Sequence, residues 1–374
     1  MKKSLKIGIG VGGITLLAIV LYWTRMEEQR FLDRLVTLSQ VYDVNQIYKS
    51  MKGPQSTESY YVLKTKEPEL LWITGYHAVM VQADGKTPAS QEFMCHSNLD
   101  FADNKRHNEL FRHDGSERLF TLSQGQFDIK FPDGFGIPMM SDEALNLTTQ
   151  VLNLNIKDPK LQVRHRVTID FARDRDLKRK MVPLMMVGGS GLKLLQGKEG
   201  YYGIQNPEEE AHGPGCSLGT SASTHSITDQ FGRVFAGHWV VKPGREVNHS
   251  LATHYFRVPF DSTIHYIAVH LHPFAETLEL RDLTAKKRVF LSRAENFKDK
   301  IGLKRVEYFI SKRGILVYKD HQYELVSVYV NPTEEDQDAM ATMLLYIEDK
   351  NFDRGHLLKA PQKEPTSSVA SPKK

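Results

Sequence analysis

Cysteine is scarce in this chain of 374 residues. Only Cys95 and Cys216 occur, which excludes a disulfide-dense scaffold and a four-cysteine zinc site. A large excess of one charge is also missing. Lys and Arg number 49 against 45 Asp and Glu, a net charge of +4, and the two signs interleave, so no nucleic-acid footprint is present. No internal repeat recurs, and no Ser-His-Asp order stands out. The glycine run Val187-Gly188-Gly189-Ser190-Gly191-Leu192-Lys193 lacks the Gly-Lys-Ser/Thr ending of a phosphate loop and reads as a turn. What remains is 40% apolar and 25% charged, the balance of an ordinary globular body long enough for two domains.

One apolar, uncharged run stands at the N-terminus. Lys2, Lys3 and Lys6 precede the stretch Ile7 to Trp23, which as a helix spans about 26 Å, at the short end of a bilayer crossing. Tyr22 and Trp23 suit the interface. No small-x-small cleavage site follows, which favours an uncleaved single-pass signal-anchor over residues 1–25 to a removed signal peptide. The lysines then lie in the cytoplasm, and the body lies on the periplasmic or extracellular side of the membrane.

Phe31, Leu35, Leu38 and Tyr42 recur at spacings of three and four and predict a helical stalk over 26–55, ended by Gly53-Pro54. After it the pattern turns to strands. Tyr60 to Leu63, Ala78 to Val81, Phe127 to Phe131, Val163 to Phe171, Trp239 to Val241, Tyr266 to His272, Tyr323 to Val330 and Ala341 to Ile347 are rich in β-branched and aromatic residues, with turns such as Pro132-Asp133-Gly134 and Pro243-Gly244 between. That spacing predicts an all-β chain of sandwiches or barrels. The expected units are a β domain over 56–190, a linker over 191–230, a second β domain over 231–352, and a disordered tail over 353–374 rich in Pro, Ser and Lys.

The pair His270 and His272 carries the most chemistry. Two residues apart in a strand, both rings project to one face while Val269 and Leu271 take the other. Neutral imidazole is a leading ligand for copper and zinc. About 70 residues later, Met340 offers a thioether, a soft ligand that favours Cu(I). Met343, three residues on, faces the opposite way in a strand.

Several features together resemble the copper monooxygenases of the peptidylglycine and dopamine β type. They are Lys242-Pro243-Gly244-Arg245-Glu246 entering a strand, His270-x-His272, Asp320 at a strand entry, and Asp338-x-Met340 running into Leu344-Leu345-Tyr346. In the first half, Met94-Cys95-His96 and Gly134-Phe135-Gly136 followed by Thr149-Gln150-Val151 stand where that family carries its other metal ligands. The resemblance spans about residues 60 to 350 and is strongest after 235. It implies two packed jelly-roll-like β-sandwich domains with a cleft between them. His270, His272 and Met340 would be the catalytic residues, holding the copper that activates dioxygen. It also implies a small-molecule or peptide substrate and an external reductant such as ascorbate. The N-terminal site departs from the family: Cys95-His96 replaces a histidine pair, and Leu152-Asn153-Leu154 stands where a third histidine is expected. His96 is the one imidazole ligand kept there.

Other polar groups leave alternatives open. Cys95 either pairs with Cys216, stays a buried thiol, or ligates metal. His225, His238, His249, His254 and His265 crowd the start of the second domain, with His212 and Cys216 near them. They are either turn and surface histidines or a second metal site, for which His238 is the best candidate. His321 beside Asp320 reads as a turn residue.

Overall fold

The computed structural model describes residues 32–204 and 226–357. The first half supplies β1 (Leu32–Leu38), β2 (Tyr42–Val44), β3 (Gln55–Tyr61), β4 (Leu70–Gln82), β5 (Met94–Phe101), β6 (Arg118–Ser123), β7 (Asp128–Lys130), β8 (Phe135–Met140), β9 (Ala144–Val151), β10 (Leu161–Arg173) and β11 (Val182–Ser190). The second supplies β12 (Lys193–Gln196), β13 (Ile227–Thr228), β14 (Val234–Ala236), β15 (His238–Val241), β16 (Gly244–Leu251), β17 (Ser262–Leu271), β18 (Ala275–Asp282), β19 (Lys287–Asn296), β20 (Leu303–Val306), β21 (Phe309–Val317), β22 (Tyr323–Asn331) and β23 (Gln337–Glu348).

An eleven-stranded sheet runs β1-β10-β4-β8-β11-β23-β17-β21, with β15, β2 and β7 paired to its members. A short parallel step, Val182 opposite Phe135 and Pro183 opposite Gly136, carries it from one half to the other. The four-stranded sheet β3-β9-β5-β6 packs on its first part and the five-stranded sheet β16-β22-β18-β19-β20 on its second. The architecture is therefore all-β with sandwich-like sheets.

Two strands serve both cores. Odd positions of β23 (Ala339, Ala341, Met343, Leu345, Ile347) and Ile267, Val269 and Leu271 of β17 fill the core of the second half. Leu344 and Tyr346 of β23 and Tyr266 and Ala268 of β17 face the core of the first half. There Phe131 meets Tyr346 at 4.9 Å. Apolar side chains on both faces of a strand drive it into the interior, and here they fix the two halves against each other.

The expected helical stalk over 26–55 is corrected: its described part is strand. Leu32 to Leu38 pairs rung by rung with β10, from Leu32 opposite Ala172 to Leu38 opposite Arg166. The three-and-four spacing that suggested a helix covers too few turns to outweigh a waiting sheet edge, and Val36-Thr37 is β-branched. Gly53 does not end a helix. It lies where the chain touches β9, since a Cβ there would stand 1.9 Å from the Val151 carbonyl oxygen.

Gly188 and Gly189 are not in a turn but in β11, paired to β23. A Cβ on Gly189 would come within 2.7 Å of the Phe256 ring, so close packing explains the glycine. Within the expected linker over 191–230, β12 and β13 both pair β14. In the expected disordered tail, Arg354–Leu357 forms a helical turn. It is held because Leu357 is buried against Trp72 and Phe111. The proposed anchor over 1–25 lies outside the described residues. Among the described residues, no helix is long and apolar enough to cross a membrane.

Candidate metal centre

On the face of β17 and β23 that turns toward the first half, the apolar stripe gives way to polar side chains. After Tyr266 and Ala268 come His270 and His272; before Leu344 come Thr342, Met340 and Asp338. His270 is opposite Thr342 and Leu271 opposite Ala341, while on the other flank of β23 His238 of β15 is opposite Met340. Cross-strand partners share a face with Cβ atoms about 4.5–5.5 Å apart. The Met340 side chain therefore lies beside that of His238 and on the face of Asp338.

Three donor atoms converge there. His238 Nε2 is 3.2 Å from Asp338 Oδ2, and His272 Nδ1 is 3.1 Å from the same oxygen. His238, His272 and Asp338 each place one ligand atom within 4.8 Å of the other two, the one such trio among the described residues. The histidines are buried, and the Asp338 side chain is 20% exposed. Burial alone would push the Asp338 carboxyl up, but the two imidazoles at its oxygen outweigh that and hold it far below the usual carboxylate range.

The His272 ring is set from the other half of the molecule. Its Nε2 lies 3.2 Å from Ser50 Oγ. Its Nδ1, though close to Asp338 Oδ2, lies off the axis of a hydrogen bond and has no such partner. In the tautomer that donates Nε2–H to Ser50, the Nδ1 lone pair faces the Asp338 carboxylate. In that tautomer the two acceptors repel unless a proton or a metal ion lies between them. Ligands held at about 2.0–2.2 Å around one ion stand roughly 3.0–3.5 Å apart, the spacing found here. The donors therefore fit a metal ion. Ser50, His272 and Asp338 also stand in the order of a serine relay, with the Nδ1 approach to Oδ2 off the hydrogen-bond axis.

The first half covers this face with more nitrogen and sulfur. His270 Nδ1 bonds Ser123 Oγ at 2.8 Å, and its ring centroid lies 5.3 Å from that of His272. Burial, with His272, His96 and His238 nearby, holds His270 neutral, its pKa well below the ordinary histidine value. His96 on β5 is opposite Ser123 and Gln150. Burial, then Arg118 and His272, brings its pKa down to about 4. Cys95, the extra residue of a bulge where β5 pairs β9, is buried, which pushes its thiol up to about 11. It contacts the Ser50 hydroxyl and the Met51 backbone. Cys216, His212 and His225 lie outside the described residues.

Of the residues singled out from sequence, the structure gathers His272 and His238, with Met340 alongside. His270 and His96 border the trio without joining it. Met343 faces away into the second core. His249 pairs with Glu324 at 2.9 Å, His265 Nδ1 lies 3.0 Å from the Ser311 carbonyl oxygen, and His321 pairs with Asp282 at 2.8 Å. Asp338 was visible only as part of Asp338-x-Met340. The signal for its role is that spacing: two apart in a strand, a carboxylate and a thioether share one face.

No family model matches the chain, and no curated protein matches it. Three solved structures show a distant likeness. The major capsid protein P2 from bacteriophage PM2 is 7% identical, covering 85% of this chain and 100% of that one, with a TM-score of 0.30. PNGase F, a glycosylasparaginase from Flavobacterium meningosepticum, is 7% identical over 85% and 96%, with a TM-score of 0.33. VP54 of PBCV-1 is 8% identical over 86% and 95%, with a TM-score of 0.30. Likeness at this level carries no argument about function.

Proposed function

We propose that this chain is a membrane-anchored, extracytoplasmic copper protein of the monooxygenase type, with jelly-roll-like sandwiches and one copper held by His238, His272 and Asp338. The observation that carries it is the convergence of two imidazole nitrogens on one carboxylate oxygen, with the His272 Nδ1 left without a hydrogen bond. Nitrogen ligands of this kind bind Cu(II) ahead of the other first-row divalent ions, and the thioether of Met340 beside them suits Cu(I). A bound copper would supply a redox centre for activating dioxygen with electrons from an external reductant. The chain's own groups hold and tune it. Ser50 engages Nε2 of His272, Ser123 bonds Nδ1 of His270, and both imidazoles are buried.

A second reading, a copper carrier or sensor without catalysis, has one observation in its favour. Among the described residues, the first half gathers no cluster of three donors that would relay electrons. The full-length protein, offered copper, zinc and iron together, is expected to take up one copper per chain and to consume dioxygen with ascorbate. Copper without dioxygen uptake selects the carrier. Zinc or iron in preference, or no metal at all, overturns the copper assignment.

A further inference from the structure

The ladder between β17 and β23 runs from Ile264 opposite Ile347 to Leu271 opposite Ala341 and stops there. The next rung would join His272 to Met340. In its place stands the hydroxyl of Tyr329. The His272 backbone N–H donates to Tyr329 Oη at 3.2 Å, and Oη donates to the Met340 carbonyl at 2.5 Å. Tyr329 belongs to β22 in the facing sheet. Its side chain crosses the sandwich core, 2% exposed, with its ring edge against Trp239 at 5.9 Å.

A direct backbone bond closes two strands to an N···O distance of about 2.9 Å. A hydroxyl in the middle satisfies the same donor and acceptor but holds them apart by one extra atom. The residues it separates are the metal ligand His272 and the residue paired with the metal ligand His238.

We infer that the Tyr329 hydroxyl is a spacer that sets the gap between His272 and the His238–Asp338 pair, and so the size and geometry of the ion held there. The inference rests on the metal-site assignment above. Tyr329 touches no ion and no reacting atom; it acts through the backbone of His272 and Met340, as a positioning residue.

Copper is titrated into the full-length protein, wild type and Tyr329→Phe, and Cu(II) spectra are recorded by electron paramagnetic resonance. Removing the hydroxyl is expected to weaken copper binding about 10- to 100-fold, the usual cost of losing an outer-sphere support, and to change the Cu(II) hyperfine splitting. A merely structural tyrosine would lower thermal stability and leave that splitting unchanged. If Tyr329→Phe does not fold, 3-fluorotyrosine placed at 329, nearly isosteric but a stronger donor, is expected to shift the same spectrum. Wild-type affinity and spectrum in whichever variant folds overturn the spacer and leave the copper site standing. A wild-type protein that binds no copper overturns both.

Discussion

Ser50 and His272 lie 222 residues apart in sequence and 3.2 Å apart in space, hydroxyl oxygen to ring nitrogen. This contact ties the loop before β3 to the centre built on the other half, and it engages Nε2 while Nδ1 lies toward Asp338. Ser50→Ala should remove the contact without emptying the site. Copper affinity is expected to fall about 10- to 100-fold. Isothermal titration against wild type checks it, and an unchanged affinity would show that Ser50 only fills space.

Asp338→Asn and His270→Ala separate the observed trio from the pair suggested by sequence. The first removes the carboxylate that both imidazoles approach and should cost at least about 100-fold in copper affinity. The second removes a ring whose Nδ1 is committed to Ser123 and should cost less. The reverse order would return His270 to the centre of the site.

Met340→Leu keeps the volume and deletes the sulfur. If the thioether serves Cu(I), the variant should bind Cu(I) more weakly and zinc as before. Competition with a Cu(I) chelator and with a zinc chelator reads the two affinities separately, and equal losses for both ions would argue against a thioether ligand.

Buried histidines make the fold acid-sensitive. His165 of β10, opposite Met80 of β4 and edge-on to the Tyr42 ring, is fully buried with neither ring nitrogen hydrogen-bonded. Burial, then His96, brings its pKa down to about 3. The unfolded chain therefore binds a proton that the native state refuses. Stability is full above the unfolded value near 6.5 and is lost as pH falls toward the folded value, by about 2–3 kcal/mol at pH 4.5 for this group. His96 adds in the same direction, and Asp338 follows below about pH 4. Thermal unfolding at pH 7.5 and 4.5 should show the drop, and His165→Leu should shrink it. An equal drop in the variant would remove His165 as a cause.

Gly189→Ala tests the close approach of β11 to Phe256. The added methyl meets the ring at 2.7 Å, and overpacking of this kind costs about 1–3 kcal/mol. Denaturant unfolding measures it, and a cost near zero would mean that the ring gives way freely.

Strand character after residue 58 and the facing of single side chains were legible in sequence because both depend on a two-residue period. Val269 and Leu271 turn away from His270, and Met343 turns away from Met340, as alternation requires. The segment before residue 50 misled because a short apolar spacing of three and four fits either a helix or a partnered edge strand, and only the register of β1 on β10 chooses between them. His238 stood out as one histidine among several at the start of a strand. Asp338 did not stand out, because its carboxylate meets the two imidazoles across strands.

By itself the sequence determined that this is an all-β body, that two imidazoles share a strand face near position 270, and that a thioether waits on another strand. Which donors meet was decided by tertiary structure. β15 and β17 flank β23 from opposite sides, and their registers bring His238 and His272 to one oxygen of Asp338. Pairing between strands about 70 to 100 residues apart rests on core packing and backbone hydrogen bonds, and neither leaves a mark in local periodicity.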